Sequence, residues 1–481
     1  MFFTKKKKNP PRDPAIESLA GIVGEKSVLY KKEDLLSYDC DGFTIHKAMP
    51  KAVVFPKDTA EVAGVVKYCA ENQLPFLARG AGTGLSGGSI PLNGEVIISL
   101  VKMKHLLSVD YENRQAVVQP GFVNLKLTHS IADKGYYYAP DPSSQYVCTI
   151  GGNVAENAGG AHCLKYGVTT NHILGLEVVL PNGEIIEISE NGIADAPGYD
   201  LLGLLTGSEG TLGIVTKITV RILKNPEGKQ TVLAYFDNVE EGSQAVSDII
   251  SAGIVPAALE MMDKTAIEGV EAGTYPVGHP DDIEALLLIE VDGITAGIAE
   301  QIEEIMSVCR KWNVREVKVA ESEEERGRWW ANRKTGFGAM GAISPDYLVQ
   351  DGVIPRSRLP EVLRNITKIS EESGLRIANI FHAGDGNLHP LILFDSRIPG
   401  ETEKALQAGS ACLKACADVG GSITGEHGVG IEKIEEMRFI FTDEELEAQT
   451  NVRDVFNPDG LLNSGKLFPT PSRCMDVKKV M

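Results

Sequence analysis

At 481 residues the chain is long enough for two or three domains. Its formal net charge of −19 argues against nucleic acid as the main partner, because phosphate recognition needs a basic face, yet it allows an anionic small ligand in a local positive pocket. The composition, 43% hydrophobic and 23% charged, is that of a soluble enzyme, and the 50 glycines fall in clusters that suggest ligand loops rather than low complexity.

Lys5 to Lys8 follow Met1-Phe2-Phe3 and run into Asn9-Pro10-Pro11 with no apolar core behind them. This reads as a mobile basic tail, not a signal peptide. No run of 18 apolar residues is present, so no transmembrane helix is expected. The eight cysteines form no C-x-x-C pair, which excludes a zinc ribbon or ordinary iron–sulfur spacing; reduced thiols in a cytoplasmic protein are the expectation. Cys412 and Cys416 lie four apart and read as one apolar helix face.

Residues 14–40 read as short helices. Ala52-Val53-Val54-Phe55 is a strand ended by Pro56. Asp58 and Thr59 can cap a helix with Val62, Val65, Val66 and Cys69 on one face. Phe76-Leu77-Ala78 is a second strand. It feeds Arg79-Gly80-Ala81-Gly82-Thr83-Gly84-Leu85-Ser86-Gly87-Gly88-Ser89-Ile90-Pro91, which contains a GxGxxG match. A dinucleotide fingerprint would open a helix, but this stretch leads through Asn93-Gly94 into a strand at 95–100. Two readings stand: a backbone cradle for a diphosphate, and a flexible glycine turn.

A strand ending at Val117-Val118 and a helix from Asn124 to Lys134 follow. Then come a proline turn, Ala139-Pro140-Asp141-Pro142-Ser143-Ser144, and a second glycine-rich ligand loop from Thr149 to Gly160. A hairpin at 174–188 turns at Pro181-Asn182-Gly183. A third glycine cluster, Gly207-Ser208-Glu209-Gly210-Thr211-Leu212-Gly213, precedes Ile214-Val215. Three clusters in about 140 residues exceed what turns alone require. A boundary falls near Asn225-Pro226-Glu227-Gly228. Beyond it, strands (231–236, 286–291, several in 376–394) alternate with helices (238–252, one through Ile298–Cys309, 321–333, one through Leu359–Ile369, 403–418, 443–456). This predicts an antiparallel sheet with helices on one side.

Phe381-His382-Ala383-Gly384-Asp385-Gly386-Asn387-Leu388-His389-Pro390 carries two of the nine histidines, and Gly425-Glu426-His427-Gly428 sets a carboxylate beside a third. Two imidazoles and a carboxylate form a recurrent set for zinc, iron or manganese. The spacing fits no named metal motif, so satisfied structural histidines remain an equal reading.

Six blocks in order are similar to one family: RGAGTGLSGG at 79–88, IGGNVAENAGG at 150–160, GSEGTLGIVT at 207–216, FHAGDGNLHP at 381–390, GEHGVG at 425–430 and LLNSGKLF at 461–468. Through them the chain resembles the FAD-linked 2-hydroxy-acid dehydrogenases of the vanillyl-alcohol oxidase/PCMH superfamily. The resemblance implies an α+β protein: a helical segment (1–45), a two-part PCMH-type FAD-binding domain (46–226), a substrate and metal-binding cap with an antiparallel sheet (227–430), and a C-terminal segment (431–481) returning to the FAD. It implies cofactor contacts from Arg79, Gly80, Ala81, Gly82, Thr83, Gly84, Leu85, Ser86 and Gly87. Pro140, Asp141, Ser144, Thr149, Gly151, Gly152, Asn153, Glu156, Ala158, Gly159 and Gly160 would line the flavin and ribityl chain, with Gly210, Ile214, Val215, Asn463 and Lys466 completing the site. The first loop lacks the tethering histidine of some relatives, with Thr83 near that position, so non-covalent FAD is expected.

By the same resemblance, His382, His389 and Glu426 match the ligands of a divalent metal, His427 a catalytic base, and Arg333 the anchor of the substrate carboxylate. For Arg333 a surface ion pair in a charged helix is the other reading. Leu391 stands where relatives acting on 2-hydroxyglutarate carry a polar group, which favours D-lactate or glycolate. Hydride would pass from C2 to flavin N5, and electrons would leave to an electron-transferring flavoprotein or iron–sulfur subunit. The expected location is cytoplasmic, or peripheral to the membrane through such a partner. Another FAD-dependent activity of this fold (on 2-hydroxyglutarate or a sugar lactone, or alkyl-ether exchange) and a non-catalytic flavin-binding subunit are the alternatives.

Overall fold

The computed structural model describes residues 13–189 and 197–469. The basic stretch Lys5 to Lys8 lies outside the described residues. Three principal sheets organise the chain. In the first, Ala52–Val54 and Phe76–Arg79 run parallel on either side of Val96–Ser99, with Val28–Leu29 antiparallel at the edge. The helix Thr59–Glu71 makes the crossover. Asp58 caps it by accepting from Glu61 N at 2.9 Å, and Val62, Val65, Val66 and Cys69 are fully buried against the sheet. Burying one such side chain contributes about 1.5–3 kcal/mol.

The second sheet has five antiparallel strands in the order Leu106–Asp110, Gln115–Val118, Ile214–Arg221, Ile173–Val179, Ile185–Ile188. The segment 149–160, expected as a loop, holds a helix, Ile150–Glu156. Thr149 caps it, its Oγ1 accepting from Gly152 N at 3.3 Å, and Asn157 ends it in the left-handed region at φ 54°. The glycines serve packing here: a Cβ on Gly151 would stand 2.5 Å from Pro120 Cβ.

The third sheet has seven antiparallel strands in the order Glu316–Val319, Gly228–Phe236, Ala285–Gly293, Ala258–Asp263, Ile377–Phe381, Pro390–Phe394, Asp346–Val349. Helices cover both faces, not one. Leu287, Ile289 and Val291 face Val239–Ser251, Thr295–Lys311, Leu359–Ser373 and Glu401–Asp418, whereas Leu286 and Leu288 share a core with Lys264–Glu271 and Trp329 and Trp330 of Glu323–Lys334. The continuous apolar run Ala285 to Ile289 carries this message, because a strand polar on one face would alternate. Cys412 and Cys416 are both buried on one helix, as their spacing predicts.

One seam joins the first two sheets to the third, and a second ties the C-terminal segment to the first sheet. Asp141 accepts from Lys334 Nζ (2.9 Å) and meets His162 Nδ1 (2.9 Å), whose Nε2 lies 3.3 Å from Glu290; Tyr166 and Lys165 bond Asp292. Later, Leu461 O accepts from Phe76 N (3.0 Å) and Asn463 N donates to Phe76 O (2.8 Å), so the 461–468 segment extends the first sheet. No helix of the described residues is long and apolar enough to cross a membrane.

Candidate active site

The strand Phe76–Arg79 delivers the chain into a glycine loop braced at both ends. Arg79 donates to Cys40 O (2.8 Å) and to Ser89 O (3.4 Å), and Asp41 accepts from Ser89 N (3.2 Å) and Phe43 N (3.0 Å). Gly82 sits at φ 70°, a conformation side chains avoid, and a Cβ on it would strike the Arg79 guanidinium. A Cβ on Gly80 would lie 2.5 Å from Thr149 Oγ1. Among the described residues, no backbone N–H from Gly80 to Gly88 donates to a protein acceptor. A row of unengaged amides on the wall of a cleft suits a polyanion.

The opposite wall is the segment around Glu426-His427, fixed by two carboxylates. Asp351 Oδ2 accepts from Gly425 N (2.9 Å), Glu426 N (3.1 Å), His427 N (2.9 Å) and Thr424 Oγ1 (2.6 Å). Glu209 accepts from Val429 N and Gly430 N at 2.7 Å each. The turn between Ile377–Phe381 and Pro390–Phe394 presents His382 and His389. Glu426 Oε1 lies 3.1 Å from His382 Nε2 and 3.3 Å from His389 Nε2. Behind them, Glu260 takes His382 Nδ1 at 2.8 Å and faces Arg333 Nη2 at 2.5 Å, with all three side chains buried. The ring of His427 stacks on His389 with centroids 4.8 Å apart, and His427 Nδ1 has no protein partner.

Electrostatics separate the imidazoles. Burial opposes a charge on His382, but Glu260 and Glu426 raise its pKa well above the usual range. Burial pushes His427 down to about 4 against the pull of Asp351, so that ring is neutral near pH 7. Burial works against the Glu426 carboxylate, yet His382 holds it down to about 2.

One cleft takes in both walls. Of the residues expected at the cofactor, Arg79, Gly80, Ala81, Gly82, Thr83, Gly84, Leu85, Ser144, Thr149, Gly151, Gly152, Asn153, Glu156, Ala158, Gly210, Ile214 and Val215 line it, together with Glu426 and His427. Ser86, Gly87, Pro140, Asp141, Gly159, Gly160 and Asn463 stand outside this lining and brace it. Ser86 O accepts from Ile431 N and Glu432 N, Pro140 O accepts from Asn124, and a Cβ on Gly159 would meet Glu426 Oε2 at 2.6 Å. A Cβ on Gly87 would meet Ile431, and one on Gly160 would meet Asp141, which itself belongs to the His162 seam. Asn463 donates to Gly88 O (3.2 Å) and Glu209 O (2.7 Å), beside Lys466, which donates to Gly88 O (2.9 Å). Three carboxylates of the site, Glu209, Glu260 and Asp351, are not expected from the sequence. Glu209 could have been suspected inside its glycine cluster, but Glu260 and Asp351 sit in strand-like runs with no local signal.

Residues 225–467 match the C-terminal domain of the FAD linked oxidases, and residues 50–189 match an FAD binding domain. The chain belongs to the FAD-linked oxidases. This FAD-linked oxidase is 46% identical over 465 residues to glycolate oxidase subunit GlcD of Escherichia coli, covering 97% of this chain and 93% of that protein. It is 34% identical to a D-lactate dehydrogenase of Anaerostipes hadrus, over 92% of this chain and 95% of that one. The PCMH-type fold is shared with p-cresol methylhydroxylase (TM-score 0.79, 17% identity, 93% of this chain and 95% of that chain) and with 4-ethylphenol oxidase from Gulosibacter chungangensis (0.76, 18%, 96% and 97%).

The residues of the FAD-linked oxidase fit its cofactor: the unengaged amides from Gly80 to Gly88 suit the diphosphate, and apolar Leu100, Pro120, Ile214 and Val215 offer cover for a ring system. The donor set also fits a divalent ion, because Glu260 fixes His382 with its Nε2 toward Glu426, the usual outer support of a metal-binding imidazole.

Proposed function

We propose that this FAD-linked oxidase is a dehydrogenase that converts a small 2-hydroxy acid, glycolate or D-lactate, to the 2-oxo acid. The observation that carries the reading is that the glycine loop and the neutral base candidate His427 line the same cleft. The printed activities of the relatives, glycolate oxidase subunit and D-lactate dehydrogenase, support it. Aromatic Phe337 and Tyr347 line the same cleft as His427, and Leu391 is fully buried in the sheet core, which favours a small monocarboxylate over a longer dicarboxylate.

Arg333 is buried outside the cleft lining with Nε unpartnered, and in this reading its free donors would meet the substrate carboxylate. His382, His389 and Glu426 would hold a divalent ion. When bound, the ion supplies Lewis acidity toward the hydroxyl and FAD supplies, at N5, the hydride acceptor. His427 takes the hydroxyl proton on its neutral imidazole. Asp351 keeps the His427 backbone in place through three consecutive N–H bonds. Non-covalent FAD follows from a loop with no histidine between Arg79 and Pro91. A separate electron-transferring flavoprotein or iron–sulfur subunit would take the electrons; the relatives' description as a subunit supports this. Such a partner would hold the enzyme in the cytoplasm or at the membrane periphery.

The test is a substrate screen on purified protein with an artificial dye acceptor, read beside the flavin spectrum. Dye reduction with glycolate or D-lactate, and FAD released into the supernatant by acid, are expected. A flavin that no 2-hydroxy acid reduces would overturn the reading.

A further inference from the structure

Glu260 lies in the middle strand of the third sheet, far in sequence from every residue it touches. It is 1% exposed and receives two partners on one carboxylate. His382 Nδ1 lies 2.8 Å from Oε1 and 3.0 Å from Oε2, and Arg333 Nη2 lies 2.5 Å from Oε2. The Arg333 contact is close but not aligned as a hydrogen bond, and its Nε is likewise buried without an acceptor. The guanidinium is therefore held near Glu260 by charge while donors remain for a second anion.

We infer that Glu260 is a positioning residue that couples the carboxylate anchor Arg333 to the metal-ligand imidazole His382, so that filling one site strengthens the other. The inference rests on the proposed function, in which Arg333 meets the substrate carboxylate and His382 holds the ion. The physical reason is competition for charge. Glu260 divides its negative charge between Arg333 and the Nδ1–H of His382. A carboxylate arriving at Arg333 draws the guanidinium toward itself and leaves more of Glu260 for the imidazole. A hydrogen bond from Nδ1–H to a fuller negative charge makes Nε2 a better donor. The reverse holds by linkage: an ion on Nε2 draws on Glu260 and leaves Arg333 more available to an incoming anion. This coupling needs no movement of the backbone, and it acts before any bond in the substrate changes.

The test measures zinc affinity by chelator competition on FAD-loaded protein, without turnover. Glu260→Gln keeps the side-chain shape and removes the charge; it should weaken zinc by about 10–100-fold, the usual effect of losing the outer partner of a ligand. Arg333→Ala should tighten zinc in the wild-type background, and that gain should vanish in the Glu260→Gln background. A through-space repulsion between Arg333 and the ion would instead persist in both. Propionate, which has a carboxylate but no 2-hydroxyl to chelate with, should tighten zinc in the wild-type protein and not in Arg333→Ala. Flavin content and circular dichroism check the fold of each variant. If Glu260→Gln does not fold, Glu260→Asp, which draws the carboxylate back from both partners, takes its place in the cycle and should shrink the Arg333→Ala gain. Zinc affinity indifferent to Arg333→Ala and to propionate, or an Arg333→Ala gain undiminished by the Glu260 substitution, overturns the coupling while the proposed function stands. A wild-type protein that binds no zinc overturns the metal reading and the coupling together.

Discussion

The wall from Gly80 to Gly88 and the wall from Glu426 to His427 face one cleft, yet they work with different materials. The first uses main-chain amides. Its requirement is that side chains stay out of the way, and Gly80 and Gly82 meet it where a Cβ would strike Thr149 or Arg79. The second uses side chains whose charge and orientation are set by carboxylates from elsewhere: Glu260 behind His382, Asp351 and Glu209 under the loop. A main-chain site is therefore damaged by adding atoms, and a side-chain site by removing them. The first should fail by losing cofactor and the second by losing chemistry.

The largest expected effect is on the side-chain wall. His382→Ala, His389→Ala or Glu426→Ala should remove bound metal and nearly all 2-hydroxy-acid oxidation, with FAD retained. Elemental analysis beside the flavin spectrum checks this, and full metal content in these variants would refute the ligand assignment. Next, His427→Ala should slow flavin reduction by about 10²–10⁴-fold, the usual worth of a general base. Anaerobic stopped-flow at saturating substrate reads it directly; a wild-type rate would mean that the base is another group. Arg333→Ala should raise KM and also lower kcat, because a misplaced C2 can cost about 10²-fold. Arg333→Lys should recover only part, since lysine lacks the planar fork. Unchanged substrate affinity would move the anchor to Lys334 or Arg328.

The main-chain wall should respond in the opposite sense. Gly80→Ala puts a methyl 2.5 Å from Thr149 Oγ1, so FAD occupancy should drop while any bound metal remains. Adding Thr149→Ala should restore flavin at a cap cost of about 0.5–2 kcal/mol in stability. If the double variant stays colourless, the crowding argument fails.

The smallest effect concerns the seam outside both walls. Burial opposes a charge on His162, but Asp141 and Glu290 raise its pKa to about 10. A folded pKa above the unfolded value near 6.5 means stability that is fully present below pH 6.5 and is lost as pH rises toward 10. The Tm gap between wild type and His162→Gln should therefore be widest near pH 6 and narrow by pH 9.5. A gap that is constant with pH would show that His162 acts by packing on Trp330 alone.

What was legible in the sequence follows the same division. The glycine loop, the helix from Asp58 and the long helices beyond residue 238 announce themselves locally, through glycine density, caps and apolar spacing. The helix at Ile150–Glu156 was hidden because glycine argues against a helix, and only its contact with Pro120 explains it. His382, His389, Glu426 and His427 were visible as residue types, and the six ordered motifs gave them roles. Glu260 and Asp351 were not, since a carboxylate inside Ala258–Asp263 or beside Gln350 looks like any polar interruption until the sheet brings it to a histidine or a loop. The expectation of one helical layer failed because the unbroken apolar run Ala285 to Ile289 belongs to a strand buried on both faces.

The stitch between Lys466 and Gly88 spans 378 positions. It also has a consequence for how the protein comes into being. A ribosome delivers the glycine loop early, but the residues that tie it down, Asn463 and Lys466, are translated more than three hundred codons later. Until then the edge of the first sheet at Phe76 has no strand beside it, and such an edge is a template for unwanted pairing. Contacts this distant make folding slow and expose intermediates to aggregation. A nascent chain stalled before residue 461 would lack this stitch, and its glycine loop would rest on nearer contacts such as Arg79 to Cys40 and Ser89 to Asp41.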